Sequence, residues 1–172
     1  IAISEGRLNT DELYLHLGLP LQMLMEESLL GGPLHPNGSR PLTLTIAFAT
    51  ALSTDIPQAA ATLHWWVSVS AIALMVQVAQ IHLERASIGL LAAMVLAFST
   101  TFATASAHAG SDIPAAFAVL LAMDAARRGH VRGAGLSAGL ALSIKYTAWA
   151  PLLGACLLMR ATPARRLQAG TL

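Results

Sequence analysis

Charged residues are scarce in this chain, and their scarcity excludes most classes of soluble protein. The 172 residues include 10 Lys and Arg and 9 Asp and Glu, or 11% charged residues, whereas a soluble domain has about 25%. A single cysteine, Cys156, excludes an internal disulfide and a zinc-finger spacing. A net charge of +1 gives no reason to expect a nucleic-acid partner. Because 55% of the residues are hydrophobic, intrinsic disorder is excluded too, and an integral membrane protein is predicted.

Long uncharged runs are what the chain has instead. Residues 56–83 and 86–111 hold no Asp, Glu, Lys or Arg, and a membrane span needs about 20 apolar residues. Ala59–Leu83 and Ser87–Ser106 are therefore predicted to cross the membrane in opposite directions. The predicted fold is an all-α, polytopic transmembrane helical bundle. Its shorter parts are an interfacial or re-entrant helix at Pro41–Thr54, a span at Ile113–Ala126, and the segments Gly133–Ile144 and Tyr146–Met159, which form either two half-spans or one long tilted helix.

The first 40 residues differ in composition and form a predicted outer loop, whereas residues 41–172 form the predicted transmembrane region. Leucines interspersed with charged residues predict an amphipathic helix over Thr10–Leu30, lying on the membrane surface. Thr10 is expected to cap this helix, and Pro20 to kink or split it. Residues 31–39 carry the Gly, Pro and Asn signals of a loop. Because the chain begins without Met, we expect it to be a piece of a longer protein.

The basic residues gather on one side of the predicted spans. Cytoplasmic loops carry an excess of Lys and Arg. Residues 1–40, Asp112 and Lys145 then lie on the outer side, and the three tryptophans fit interfacial belts. The sequence thus predicts a multi-pass protein of the inner (plasma) membrane, with a site that faces the periplasm or exterior. Seven of the ten basic residues lie on the cytoplasmic side, namely Arg85, Arg127, Arg128, Arg132, Arg160, Arg165 and Arg166.

Two ionisable residues on the predicted outer side need an explanation. Asp112 opens a span in an Asp-Ile-Pro sequence, which is a common helix start, so its carboxylate is either a cap or a chemically active group. Lys145 is the only lysine and breaks the positive-inside pattern, so it either snorkels to the interface or clamps a phosphate. The glycines that precede it, Gly133, Gly135 and Gly139, are predicted to let neighbouring helices approach closely.

The histidines do not indicate a metal site. No two of them have the His-x-x-x-His spacing that places both on one helix face. His108 is expected to reach Asp112 if the residues between them are helical. Arg40 either binds phosphate, as proposed for Lys145, or is an ordinary loop arginine.

Several motifs together resemble one family. Residues 11–20, Asp-Glu-Leu-Tyr-Leu-His-Leu-Gly-Leu-Pro, look like the first outer loop of polytopic GT-C glycosyltransferases, the relatives of protein O-mannosyltransferases and aminoarabinose transferases. The Arg-Pro loop end at 40–41, the acidic span start at Asp112 and the Gly-rich helix ending in Lys145 are similar to that family in the same order. The resemblance covers roughly residues 9–160. In one departure, residues 59–64 lack the arginine that many members have there.

The resemblance implies inverting transfer of a sugar from a polyprenyl-phosphate donor to a lipid, glycan or protein acceptor on the outer face. In that reaction Asp11 acts as general base and Asp112 positions the acceptor or the base, while Lys145 binds the donor phosphate. No cofactor is implied, and a divalent cation stays open. The family's first and later spans have no counterpart here, which implies a fragment that is inactive alone. The further residues expected to bind substrate are Glu12, His16 and Arg40.

Two other interpretations stay open. Short Gly- and Pro-interrupted segments and intramembrane charges also occur in transporters, so a transporter fragment is the main alternative. The other alternative is a non-catalytic subunit of a membrane assembly. The acidic surface helix before the first complete span favours the enzyme. No Walker loop, Gly-x-Ser-x-Gly elbow or His-Glu-x-x-His motif is present in the sequence.

Overall fold

The computed structural model describes residues 17–27, 43–54, 56 and 58–161, and this part of the chain folds as helices joined by short turns. The predicted all-α class is thereby confirmed for these residues. In chain order the helices are α1 (Gly18–Met25), α2 (Thr43–Leu52), α3 (Ala59–Leu83), α4 (Ala86–Ala97), α5 (Thr100–Ala107), α6 (Asp112–Arg127), α7 (Val131–Ile144), a single 3₁₀ turn (Tyr146–Ala148) and α8 (Trp149–Ala161).

Helices α3 and α4 form a tight antiparallel hairpin. Glu84 ends α3 in the left-handed conformation, with φ of 54°, and α4 begins two residues later. The two helices touch at Gly89 of α4. A Cβ atom placed there would lie 2.6 Å from Ala79 Cβ and 3.0 Å from Val76 Cα of α3. The close packing of this hairpin therefore requires glycine at position 89.

Helices α6 and α7 form a second hairpin, which packs through α6 against α3. Its turn contains Gly129 at φ of 77°, a backbone conformation that side chains with a Cβ rarely adopt. The hairpin places the beginning of α6 beside the end of α7. Between them lie the buried residues Ala118, Val119, Ala141 and, from the 3₁₀ turn, Ala148.

The predicted span Ser87–Ser106 is broken in the middle. Helix α4 ends at Ala97, α5 begins at Thr100, and the two axes differ in direction by 71°. Ser99 has an extended backbone, and its Oγ accepts a hydrogen bond from the Phe102 backbone N–H at 3.5 Å. The Ser-Thr-Thr sequence at 99–101 explains the break, because hydroxyl side chains compete with the helical backbone for hydrogen bonds.

Two other local expectations are decided by the backbone. Lys145 is extended, with φ of −148° and ψ of 117°, so residues 133–160 form two helices and not one. Pro20 lies in the first turn of α1, where a missing N–H costs no hydrogen bond within α1, and the stretch before Leu17 that the predicted kink also concerns lies outside the described residues. The predicted surface helix over Thr10–Leu30 is described only at residues 17–27, and the predicted loop at 31–39 lies outside the described residues.

The expectation of close helix approach along the Gly-rich helix is wrong. Nothing lies within 4 Å of a Cβ placed at Gly135 or Gly139, and at Gly133 the nearest atom is Ala125 Cβ at 3.5 Å, an ordinary contact. The physical reason is the face on which they lie. Helix α7 buries Ala141 against its neighbours, whereas Gly135 and Gly139 are exposed.

Within the described residues, one helix is long and apolar enough to cross a membrane, over Ala59–Ile81 of α3. The bent pair α4–α5 would be a second if it is one broken span. Apolar side chains also cover much of the surface. On α4 and at its C-cap the exposed large ones are Ile88, Leu90, Leu91, Met94, Val95 and Phe98.

Candidate functional site

Two of the residues singled out in the sequence meet at one end of the bundle. Lys145 Nζ donates a hydrogen bond to Asp112 Oδ1 and forms a salt bridge with it. The two residues are 33 positions apart in the chain, and the α6–α7 hairpin brings them together. The starts of α3 and α6 and the end of α7 lie at this same end.

Each partner of the salt bridge occupies the helix end that suits its charge. Asp112 is the first residue of α6, where free N–H groups favour an anion, and Lys145 follows the last residue of α7, where free carbonyls favour a cation. The Asp112 side chain is 80% exposed and that of Lys145 is 35% exposed. A pair so open to solvent typically contributes about 1 kcal/mol or less to stability. The fold does not depend on this pair, and both groups are accessible to a ligand.

The capping interpretation of Asp112 finds little support in its geometry. The N-cap position of α6 belongs to Ser111, which makes no side-chain capping hydrogen bond, and Asp112 lies within the first turn. Its carboxylate pairs with Lys145 across the hairpin. Asp112 is therefore the first residue of α6 and not its N-cap.

The amino-terminal part of the described chain packs beside the residues that lead into Asp112. Leu17 and Ala109 are both buried in one apolar cluster, together with Phe48 and Ala60. Ala109 comes three residues before Asp112. Leu17, the residue just before α1, thus belongs to the same cluster as a residue of the link that leads into Asp112.

The remaining predicted site residues lie outside the described part of the chain. They are Asp11, Glu12, His16 and Arg40, and the acidic residue of the second Asp-Ile-Pro sequence, Asp55, lies outside it as well.

A buried histidine at this end was given no role from the sequence. His64 of α3 is 1% exposed, and its Nδ1 donates a long hydrogen bond of 3.4 Å to the Ser106 carbonyl of α5. On its other side, Nε2 lies 4.0 Å from the position of a Cβ placed at Gly110. The sequence did carry one signal for this role, because His64 lies in the second turn of a helix that holds no Asp, Glu, Lys or Arg. A polar side chain buried in such a helix needs hydrogen-bond partners from elsewhere in the fold.

An apolar groove of about 530 Å³ lies between α3 and the bent pair α4–α5. His108, four residues before Asp112 in the chain, is among the residues that line it. Its apolar walls are lined chiefly by Trp65, Val69, Ile72, Ala97 and Phe102, with hydroxyls from Ser68, Thr104 and Ser106.

Two further expectations concern His108 and metal binding among the described residues. Helix α5 ends at Ala107, so His108 does not reach Asp112 along a helix, and its Nδ1 instead hydrogen-bonds to the Thr104 carbonyl at 2.7 Å. In the ranges that the structure covers, no three His, Cys, Asp or Glu residues lie close enough together to hold a metal ion.

Comparison of the chain with protein-family models, with curated proteins and with solved structures found no match. The chain is defined by its own geometry, as a strongly apolar helical protein with an accessible carboxylate–ammonium pair at one end.

Proposed function

We propose that this chain is part of an integral membrane glycosyltransferase that moves a sugar from a polyprenyl-phosphate donor to a lipid, glycan or protein acceptor on the outer face of the membrane. The observation that carries the proposal is the accessible Asp112–Lys145 pair at one end of an apolar helical bundle. Such a pair offers a cation for the donor phosphate and a carboxylate for the acceptor.

Placement in a membrane is supported by the surface of the described helices. Large exposed apolar patches are uncommon on soluble monomers, and α4 carries five exposed large hydrophobic residues within 12 residues. The aromatic residues fit the same placement. Trp66, Tyr146 and Trp149 are exposed, and all three lie near the Asp112 end, at the start of α3 or α8. Aromatic residues gather in this way at the membrane interface.

The donor would be held by charge at one point and by apolar contact along its chain. Lys145 Nζ is the cation for the phosphate, and it stabilises the charge that develops on the phosphate as the sugar–oxygen bond breaks. The groove between α3 and α4–α5 offers a polyprenyl chain an apolar surface, and its lining includes His108, four residues before Asp112. A single ammonium and an apolar groove suit a lipid phosphate better than a soluble nucleotide sugar.

The acceptor would be activated by a carboxylate. We assign the general base to Asp11, which takes the proton from the acceptor hydroxyl or amine as its oxygen or nitrogen attacks the anomeric carbon. Asp112 orients the acceptor or the base, and Glu12, His16 and Arg40 complete the substrate contacts. A single displacement of this kind inverts the anomeric carbon.

The test is binding of a short-chain polyprenyl monophosphate to the purified protein in nanodiscs. Lys145→Ala should weaken binding about tenfold or more, the amount expected for one charge-assisted hydrogen bond. Lys145→Arg should keep part of the affinity, because the charge stays and the geometry changes. Arg85→Ala, at the opposite end of α3, is the matched control and should leave affinity unchanged. Equal affinity of the wild type and Lys145→Ala for the polyprenyl monophosphate would contradict a phosphate site at Lys145.

A transporter remains the second candidate, because of one specific observation. Both the 71° break between α4 and α5 and the extended residue at Lys145 interrupt apolar helices, as discontinuous helices do in transporters. Product analysis separates the two functions. Transfer of a labelled sugar from lipid donor to acceptor in detergent, where no compartments exist, supports the enzyme, and uptake that requires sealed vesicles supports transport.

A further inference from the structure

His64 ties together elements that the proposed chemistry requires to be held in place. Helix α5 ends at Ala107, and the last carbonyls of a helix have no partner within it. The Ser106 carbonyl is one of these, and it accepts the hydrogen bond from His64 Nδ1 across 42 residues of chain. Because a carbonyl only accepts, Nδ1 carries the ring proton in this contact. The histidine of α3 thus caps the end of α5 from a neighbouring helix.

The capped helix end leads directly into Asp112. Only residues 108–111 separate the end of α5 from the start of α6. Within that link, Ala109 is 1% exposed in the cluster with Leu17, and Gly110 lies over His64 Nε2. The ring therefore fills the space beneath the link while it holds the carbonyl at its entrance. A shift of this link moves the first turn of α6 and, with it, the carboxylate.

We propose that His64 is a positioning residue for Asp112: it fixes the link 108–111 and so sets the distance between the Asp112 carboxylate and Lys145. The consequence for catalysis rests on the proposed function, whereas the structural consequence does not. His64 touches neither donor nor acceptor in this scheme. It acts on turnover only through the place that it gives to the carboxylate.

The structural readout is a cross-linking rate. In a Cys156→Ser background, cysteines at Asp112 and Lys145 are bridged with a short, rigid bis-maleimide, and the rate is measured in membranes. His64→Leu should lower this rate at least threefold, because it keeps the volume and removes the donor. His64→Asn should keep the rate within about twofold, because the Asn amide nitrogen occupies nearly the place of Nδ1. His64→Gln places its amide near Nε2 and should behave like Leu.

Two controls keep the result interpretable. Ser68→Ala removes a buried hydroxyl of α3 that donates a hydrogen bond of 3.0 Å to the His64 backbone carbonyl within the same helix. This variant should leave the cross-linking rate unchanged. If His64→Leu does not yield folded protein, the comparison of Asn with Gln decides. Equal cross-linking rates in the Asn and Gln variants would overturn the proposal.

The catalytic readout is separate. With residues 112 and 145 native, His64→Gln should lower kcat at least tenfold without raising the KM for the lipid-phosphate donor. If cross-linking falls in the His64 variants but the wild type shows no transfer activity, the positioning role is supported and glycosyl transfer is contradicted. Unchanged cross-linking in an active enzyme would retain the transfer and discard the positioning role.

Discussion

Asp112 and Lys145 carry opposite charges on adjoining helix ends, and their pairing has a consequence for ligand binding. While Lys145 is paired with Asp112, a phosphate must share or displace that carboxylate. The same contact that supports both residues as site members therefore also opposes the donor. Removing the Lys145 charge should weaken donor binding, whereas removing the Asp112 charge should strengthen it. The roles of the two residues can therefore be separated by experiment.

Asp112→Asn tests that separation. The substitution keeps the size and the helix start but removes the charge, so it should lower the KM for the lipid-phosphate donor by about threefold while kcat falls. We expect kcat to fall by about 10²-fold, the lower range for loss of a positioned acid–base group. Steady-state kinetics with varied donor measure both. A higher donor KM in this variant would show that the carboxylate helps to bind the donor.

Asp11→Asn tests the general base. The turnover should fall by about 10²–10⁴-fold, with folded protein recovered in normal yield. Glu84→Gln, an exposed acidic residue at the opposite end of α3, serves as the control and should retain full activity. Wild-type turnover in Asp11→Asn would place the base elsewhere.

The sequence was informative about these residues because charge is rare in the chain. Asp112 and Lys145 were predicted as site members from their places in an apolar sequence, and the hairpin brings them into contact. His64 was missed because its role depends on a carbonyl 42 residues away, and no local pattern encodes such a tertiary contact. The buried cluster that includes Leu17 and Ala109 could not be predicted for the same reason.

At the scale of the helices, small residues set how closely elements pack, and the sequence alone did not show which ones. Composition pointed to the glycines of α7, yet the close contact is at Gly89 of α4. The reason is that glycine matters only on the face that meets another helix. The helix boundaries at Lys145 and near Ala97 likewise depend on backbone hydrogen bonding, so a hydropathy profile does not predict them.

A pair of glycine substitutions tests this packing with opposite signs. Gly89→Val should destabilise the protein by about 1–3 kcal/mol or more, because its side chain would overlap Ala79 and Val76 of α3. Gly135→Ala should stabilise it by about 0.5–1 kcal/mol, because the position is a helix interior with open space around it. Unfolding of the purified protein in mixed micelles by denaturant gives both values. Destabilisation by both would mean that α7 meets a further element at Gly135.

At the scale of the whole molecule, the helices alternate in direction. The chain turns at Glu84–Arg85 and at 128–130 on one side, and at 108–111 and Lys145 on the other. The basic residues of the described turns, except Lys145, lie on the first side. The order of the helices thus separates the basic turns at one end from Lys145 at the other, and the membrane topology proposed from charge needs a direct test.

Topology is tested by labelling single cysteines in a Cys156→Ser background. A membrane-impermeant maleimide added from outside should modify Gly110→Cys and spare His130→Cys, and it should modify both after the membrane is permeabilised. Position 110 accepts a Cβ at ordinary contact distance, so the variant should fold. Labelling of position 130 alone in intact cells would show that the orientation is the opposite of the proposed one, with Asp112 and Lys145 on the cytoplasmic side.

In the membrane placement that we propose, the bend at Ser99 has a consequence for the surrounding lipid. Helix α4 has 12 residues and α5 has 8, which gives lengths of about 18 Å and 12 Å. With α5 inclined by 71° to an upright α4, the pair would rise only about 22 Å through a hydrocarbon layer of about 30 Å. The bilayer beside this pair would then have to become thinner to match it. Under that proposal, bilayers of short-chain lipids should relieve a hydrophobic mismatch that long-chain bilayers increase.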